Sequence, residues 1–447
     1  MALNLKLEEL VQETRVHRSI YLEQEIFDLE MERIFESNWV FVGHESEIAE
    51  SGDYKTITIG TQPAIVTRDE NGDIHVLMNR CMHRGSTVCQ EHRGNTHAFR
   101  CWYHGWTYNN KGELIGVPYA DGYGSSFDKR KFSLIKAARV ESYRGLIFAS
   151  LNPDVEPLAE YLGNAKYYID LFMDLSPEGE VEARSGTHKY GYDGNWKFQM
   201  ENGVDGYHPN FVHQGFFEIQ GKELGRRTMR LFTGNSECES KDLGNGHAIL
   251  DMAPKRRAGN RPTSNLLRGA TSQASTDEYL SSMIRRYGEE RTAEIFAASN
   301  INLAIFPNLL IIGIQFRMTI PVSAKRTDVH LLPTTLKGVP DEINVARLRA
   351  HEAFYGSAGG GAPDDVEMFN RCSDGLRVKG AEWLELSRGI EREREDRDGI
   401  IVGHITDETP QRAFYRRWRA LMCEAAQPRL HTAPLRIVPT AGEAHER

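Results

Sequence analysis

Six cysteines in 447 residues are too few and too scattered to form a disulfide framework. Long apolar runs are also missing. The most apolar stretch, residues 301–316, is interrupted by Pro307 and Asn308 and is too short to span a bilayer, so it reads as a pair of buried strands. There is no excess of positive charge either: 54 Lys and Arg face 63 Asp and Glu, a net charge of -9, which argues against nucleic acid as a main partner. The first residues carry Glu8 and Glu9 within an apolar pattern and lack a small-residue cleavage site. No signal peptide or membrane association is expected, and the location expected is cytoplasmic. No internal repeat is visible, and the length exceeds that of a typical single domain.

What the chain does have is a set of soft metal ligands in two short pairs. Cys81-x-His83 is followed by Cys101-x-x-His104, each pair compact enough for one loop. Thiolates on one iron and imidazoles on the other define a Rieske-type [2Fe–2S] cluster, a one-electron carrier with a raised potential. Structural zinc is the competing reading, but zinc sites usually pair Cys with Cys and His with His at wider spacing. Here each pair is mixed. Arg84-Gly85 and Gly105-Trp106 follow the histidines and predict tight turns whose N–H groups approach the sulfurs.

Texture divides the chain into three parts. Residues 1–37 place Ile26, Leu29, Ile34 and Phe35 at helical spacing and predict an amphipathic arm. Residues 38–156 are β-rich, with strands expected at 54–59, 64–67, 74–78, 99–103 and 146–150 and turns at 70–73 and 110–112. Residues 157–447 open with a helix expected over 158–174 and then mix strands with helices, an α+β pattern. The charge run 391–398 reads as a solvated helix end, and residues after 426 as an extended tail.

A second donor set lies at His208 and His213. Five residues apart, they would point about 140° apart on a straight helix, so Pro209 is expected to break the helix and let them converge. Asp205 and His208, three apart, share a face. Two histidines and a carboxylate make the facial triad of mononuclear non-haem iron, with open positions for O2. The acid must come from elsewhere; the segment holding Asp364, Asp365 and Glu367 after Gly359, Gly360 and Gly361 is the best candidate. Taken singly, a spaced His pair is often incidental and an acid doublet often marks a helix N-terminus. The conjunction with an upstream electron carrier favours iron.

These residues resemble the α subunits of the Rieske aromatic-ring-hydroxylating oxygenases over roughly residues 20–420, closest to the benzoate, toluate, anthranilate and aniline dioxygenase branch. The resemblance rests on the two cysteine pairs with their flanks, on Asn195-Trp196-Lys197, on Glu201-Asn202 through Asp205, His208 and His213, and on Pro363-Asp364-Asp365. It implies a Rieske domain inserted near the N-terminus of a catalytic domain whose antiparallel sheet wraps a long helix. It implies iron ligands His208, His213 and Asp365, with Asn202 near the iron. Asp205 matches a residue that bridges the cluster ligand His104 of a neighbouring chain to His208. The implied assembly is a homotrimer or an α3β3 complex with a small β subunit. Electrons would come from NAD(P)H through a reductase and possibly a ferredoxin. The implied reaction is O2-dependent hydroxylation, chiefly cis-dihydroxylation, of a small aromatic such as a benzoate, anthranilate, salicylate or aniline. Monohydroxylation or demethylation on the same fold is the nearer alternative, and a pure Rieske electron carrier the more distant one. Residues 301–316 and the glycines before Asp364 are expected to help line the pocket, the glycines by leaving room there.

Overall fold

Short apolar strands separated by Asn, Asp and Gly turns dictate most of the N-terminal architecture. The computed structural model describes residues 6–423 apart from 224, 226–230, 235, 255–270 and 300; the tail expected after 426 lies outside them. Ile74–Met78, Gln62–Arg68, Asp53–Ile59 and Arg93–Asn95 form an antiparallel sheet in that order. The turn between its first two members is built as its sequence suggests: Asp69 accepts from the N–H groups of Asn71 and Asp73, and Gly72 takes φ +87°. Ala98–Arg100, Thr107–Asn109 and Leu114–Gly116 form a second sheet. Ile65, Leu77, Phe99 and Tyr108 fill a core that also encloses Cys81 and Cys101. A third small sheet joins Arg139–Tyr143, Leu146–Ser150 and Val40–His44. The strand expected over 99–103 ends at Arg100, because the chain turns into the cysteine loop at Cys101.

The larger sheet is nine-stranded and wholly antiparallel. Its order is His188–Tyr192, Arg326–Pro333, Gln315–Ser323, Leu309–Ile312, Asn302–Ile305, His247–Asp251, Glu239–Gly244, Ile401–His404 and Arg394–Glu395. Alternation of side chains gives it two apolar faces. Leu310, Ile312, Val329 and Leu331 pack with helices Trp196–Gly203 and Thr409–Cys423. Leu303, Ile305, Ile311 and Phe316 pack on the other side with helices Ala165–Met173 and Gln273–Tyr287. This is the expected α+β arrangement, the large sheet laid against the 15-residue helix Thr409–Cys423. Among the described residues, no helix is long and apolar enough to cross a membrane.

The N-terminal segment is only partly the expected helical arm. Ser19–Leu22, Gln24–Glu30 and a π-helical turn at Met31–Phe35 are helical, but Arg15–His17 is a strand paired with Trp383–Glu385. Two further expectations fail for local reasons. The helix over 158–174 is split into Leu158–Leu162 and Ala165–Met173, because Gly163 adopts φ +47° and leaves the helical basin. The charge run 391–398 is not a helix end. It holds a 3-10 turn at Ile390–Arg392 and the edge strand Arg394–Glu395, where charge suits an exposed sheet edge.

Candidate metal centres

The two cysteine loops have the same backbone construction. Each begins just after a strand, and each closes with paired bonds: Gly85 N–H to the Cys81 carbonyl at 3.0 Å and Cys81 N–H to that of Ser86 at 2.8 Å, then Gly105 N–H to Cys101 at 2.9 Å and Cys101 N–H to Trp106 at 2.8 Å. Gly85 and Gly105 take φ +80° and +73°, and a Cβ on Gly105 would meet Pro118 at 2.9 Å. Like loops present like ligands face to face. Both thiols are buried, and they stand close enough to interact; burial raises the pKa of the Cys101 thiol, a penalty that a bound cation would reverse. The His83 and His104 rings lie 4.4 Å apart between centres, and His83 stacks on Trp106 at 4.9 Å. Nδ1 of His83 is buried without a partner, a free lone pair for a metal.

Two sets of three His, Cys or acidic donors converge within 4.8 Å among the described residues, and the Cys–His quartet supplies neither. Ligands spread over two irons meet that geometry; ligands of a single zinc crowd more closely. The residues present therefore suit a [2Fe–2S] group. Sequence reasoning missed Tyr108, whose hydroxyl lies 3.3 Å from Cys81 Sγ and accepts from Met82 N–H at 3.1 Å. Its alternation within a β-strand gave no sign of a polar task.

The second set is built by two helices and a kink. Asn195 caps helix Trp196–Gly203, its side chain accepting from Lys197 N–H at 3.2 Å. After Gly206, where a Cβ would lie 2.1 Å from the Ile405 carbonyl oxygen, His208 caps the short helix Pro209–Val212. Pro209 thus starts a helix instead of breaking one, in the first-turn position where its missing N–H costs nothing. The change of direction falls at His213, before the next helix Gln214–Glu223. Asp364 and Asp365 sit in the first turn of helix Ala362–Gly375, so Pro363 likewise begins a helix. The glycines ahead of it do not leave open room: a Cβ on Gly361 would meet the Phe354 ring at 2.3 Å and one on Gly360 would meet Phe216 at 2.4 Å. Those rings occupy the space, and Phe354 lies 5.1 Å from the His213 ring.

Asp365 Oδ1 is 3.3 Å from His213 Nε2 and 3.6 Å from His208 Nε2, and the Asn202 amide reaches both His208 Nε2 (3.3 Å) and Asp365 Oδ1 (3.2 Å). Asp365 is buried, whereas Asp364 is half-exposed with its nearest oxygen 3.8 Å from His213 Nδ1. Burial opposes charge on His208, yet Asp205 and Asp365 beside it hold its pKa above the ordinary value. Burial likewise opposes charge on Asp365, and His213 and His208 hold it below the carboxylate range. Three such donors converging on one point suit a divalent cation, which displaces protons from its ligands as it binds. Two imidazoles and one carboxylate leave further coordination positions open and so suit iron. Glu201 supports from behind: Tyr21 and Tyr415 hydroxyls donate to it at 2.9 and 2.5 Å, and burial raises its pKa to about 7.

No hydrogen bond, ion pair or ring contact among the described residues joins the cysteine loops to the His208 site within one chain. Both sites border exposed aromatic side chains, Trp102 and Tyr103 at one and Tyr207 and Phe211 at the other.

Comparison with known proteins agrees with this geometry. The pattern of the Rieske [2Fe-2S] domain matches residues 38–143, and that of the ring hydroxylating alpha subunit catalytic domain matches residues 176–424. The 2-halobenzoate 1,2-dioxygenase large subunit of Burkholderia cepacia is 36% identical over 388 residues, covering 84% of this chain and 80% of the relative. The toluate 1,2-dioxygenase subunit alpha of Pseudomonas putida is 37% identical, covering 84% and 81%. A naphthalene 1,2-dioxygenase with indole bound superposes with a TM-score of 0.80 at 26% identity over 94% of each chain. The naphthalene 1,2-dioxygenase of Rhodococcus sp. bound to indole gives 0.78 at 30% identity, over 92% and 95%.

Proposed function

The chain belongs to the alpha subunits of the Rieske ring-hydroxylating oxygenases, and from that premise we propose that it hydroxylates a monocyclic aromatic compound, with cis-dihydroxylation as the outcome. The observation that carries this reading is the convergence of His208, His213 and Asp365 on one point beside Asn202. In the proposed assignment these three hold the iron, and Cys81, His83, Cys101 and His104 hold the cluster. The division into an arm at 1–37, a Rieske domain at 38–156 and a catalytic domain at 157–447 belongs to the same proposal.

Bound in these sites, the cluster supplies single electrons and the iron supplies open positions for activating O2. The balance is one arene, one O2, two electrons and two protons per cis-dihydrodiol. NAD(P)H is the proposed source of the electrons, through a reductase and, in some arrangements, a ferredoxin. The chain's own residues do the positioning. Asp205 accepts from the His208 backbone N–H and stands beside its ring, Asn202 donates to Asp365, and Phe354 with Phe216 closes the side of the site next to the glycines. A ring of three subunits, in which Asp205 meets His104 of the next, belongs to the same proposal; the open outer side of Asp205 and the exposed aromatic side chains beside both sites support it. A small β subunit fits the naming of the relatives as large or alpha subunits.

Product analysis tests the reaction. The loaded enzyme, supplied with reductase and 18O2, is offered benzoate, salicylate, anthranilate and aniline. Two labelled oxygens in the product support dihydroxylation, either as a cis-dihydrodiol or as the catechol left when a diol at an amino-bearing carbon loses ammonia. Gain of one labelled oxygen replaces it with monohydroxylation, and no oxygenated product from any aromatic overturns the reading.

A further inference from the structure

Gln315 and Arg317 are polar interruptions in an apolar strand, and alternation turns both to one side. Phe316 and Met318 point into the opposite core. Thr319, on the same side as Arg317, lies 3.3 Å from Met200 of helix Trp196–Gly203. The Arg317 guanidinium therefore faces the helix that carries Gln199 and Asn202. It is 2% exposed. Among the described residues no carboxylate pairs with it and no acceptor takes a hydrogen bond from it; its Nε is buried without a partner, and its guanidinium lies 5.3 Å from the centre of the Tyr355 ring.

Among the described residues, the other buried cations differ from it. Lys197 pairs with Glu30 and Arg412 with Glu393. Arg347, which also lacks an acid and whose Nε is likewise without a partner, still donates through its guanidinium to Thr334 at 3.2 Å and stands beside Tyr279 in the opposite core. An unpaired buried guanidinium is costly, and an acceptor with the opposite charge removes the cost. Asp365 does not serve. The charge of Arg317 is felt there, but the carboxylate is turned to the two histidines.

Two neutral donors are free on the same side. Tyr190 donates to Gln199 Oε1 at 2.7 Å, which leaves the Gln199 amide nitrogen buried without a partner. His351 Nε2 donates to Gln315 Oε1 at 2.7 Å, which leaves the Gln315 amide nitrogen in the same condition. Leu310 and Leu331, the cross-strand neighbours of Arg317, are apolar and face the same core. Spare donors and a positive charge bordered by apolar walls match a flat apolar ring that bears one anionic group.

We propose that Arg317 is the counter-ion of a substrate carboxylate, with the Gln315 and Gln199 amides as accessory donors, so that the site selects monocyclic aromatic carboxylates over neutral arenes. The planar guanidinium suits a carboxylate, which it can hold through two parallel bonds. This specificity rests on the aromatic hydroxylation proposed above and narrows its substrate class. Arg317 acts on binding and orientation, not on the reacting atoms.

Binding and turnover by the cluster- and iron-loaded enzyme test it, with benzoate, benzamide and toluene as probes. By calorimetry wild type binds benzoate at least about tenfold more tightly than benzamide, its neutral isostere. Arg317→Met lowers the ratio of kcat/KM for benzoate to that for toluene by about 100-fold. Arg317→Lys recovers part of the benzoate activity, because it restores charge without the fork. Equal wild-type affinity for benzoate and benzamide overturns the proposal even if Arg317→Met fails to fold. So does a folded Arg317→Met that retains benzoate or loses benzoate and toluene alike. Turnover of neutral arenes with rejection of benzoate sinks the Arg317 assignment alone, whereas failure to oxidise any aromatic sinks the hydroxylation reading with it.

Discussion

Asp205 holds His208 from two directions. One carboxylate oxygen lies 3.6 Å from His208 Nδ1, and the other accepts from the His208 backbone N–H at 3.3 Å. The far ring nitrogen, Nε2, then faces Asp365. With about a third of its side chain exposed, Asp205 is also open on its outer side. An imidazole ligand is commonly set in this way by a carboxylate on its other nitrogen.

Asp205→Asn keeps the shape and removes the charge. Iron binding and reduction of the cluster should persist, while cluster reoxidation after mixing reduced enzyme with substrate and O2 slows by roughly 10- to 100-fold or more. Stopped-flow absorbance of the cluster reads this directly. A wild-type rate in the variant removes Asp205 from the path between the centres.

Asp365→Ala should lose the mononuclear iron and, with it, at least about 100-fold of activity, while the visible spectrum of the cluster is unchanged. Metal analysis per chain should fall from three irons to two. Asp364→Ala, at a half-exposed position, should keep all three. Iron retained in Asp365→Ala and lost in Asp364→Ala would move the ligand by one residue.

The parts of the candidate site that are local in sequence are legible in the sequence alone. Cys81, His83, Cys101 and His104 lie on two turns whose geometry is set within six residues each, so spacing alone pointed to them. Asp365 was different. Its place beside His208 depends on how helix Ala362–Gly375 docks, and only resemblance singled it out from Asp364 and Glu367. Pro209, expected to break a helix, begins one instead, because the same ring that interrupts a helix interior fits a helix start. The glycines before Asp364 were read as leaving space, and the rings of Phe354 and Phe216, which fill it, come from other helices. Arg317 was invisible as a candidate, since its significance is the lack of a partner, and that exists only in three dimensions.

Tyr108 should tune the cluster. Its hydroxyl stands 3.3 Å from Cys81 Sγ, and a hydrogen bond to a cluster thiolate stabilises the reduced, more negative state. Tyr108→Phe deletes that bond, worth about 1 kcal/mol, or roughly 45 mV for one electron, so the potential should fall by that order. Spectroelectrochemical titration of the loaded protein measures it. An unchanged potential would reduce Tyr108 to a packing residue.

The last prediction concerns stability rather than chemistry. Glu30, fully buried, accepts from Lys197 Nζ at 2.6 Å, Trp418 Nε1 at 2.6 Å and Trp196 Nε1 at 2.8 Å, so it ties the N-terminal helix to both helices under the large sheet. Burial lowers the pKa of Lys197 below that of an ordinary lysine, and Glu30 is the main influence opposing that shift. Glu30→Ala leaves the ammonium buried and unpaired and should destabilise the fold by about 3–5 kcal/mol in denaturant titration. The sign of its pH dependence follows. In the variant the unfolded chain binds a proton at Lys197 that the folded chain holds less well, so stability should rise as pH increases towards 10.5 and the deficit should shrink. Lys197→Met in the Glu30→Ala background removes the stranded charge and should recover much of the loss. A deficit that does not change with pH, and is not relieved by Lys197→Met, would mean that lost packing, not the uncompensated charge, is what Glu30 prevents.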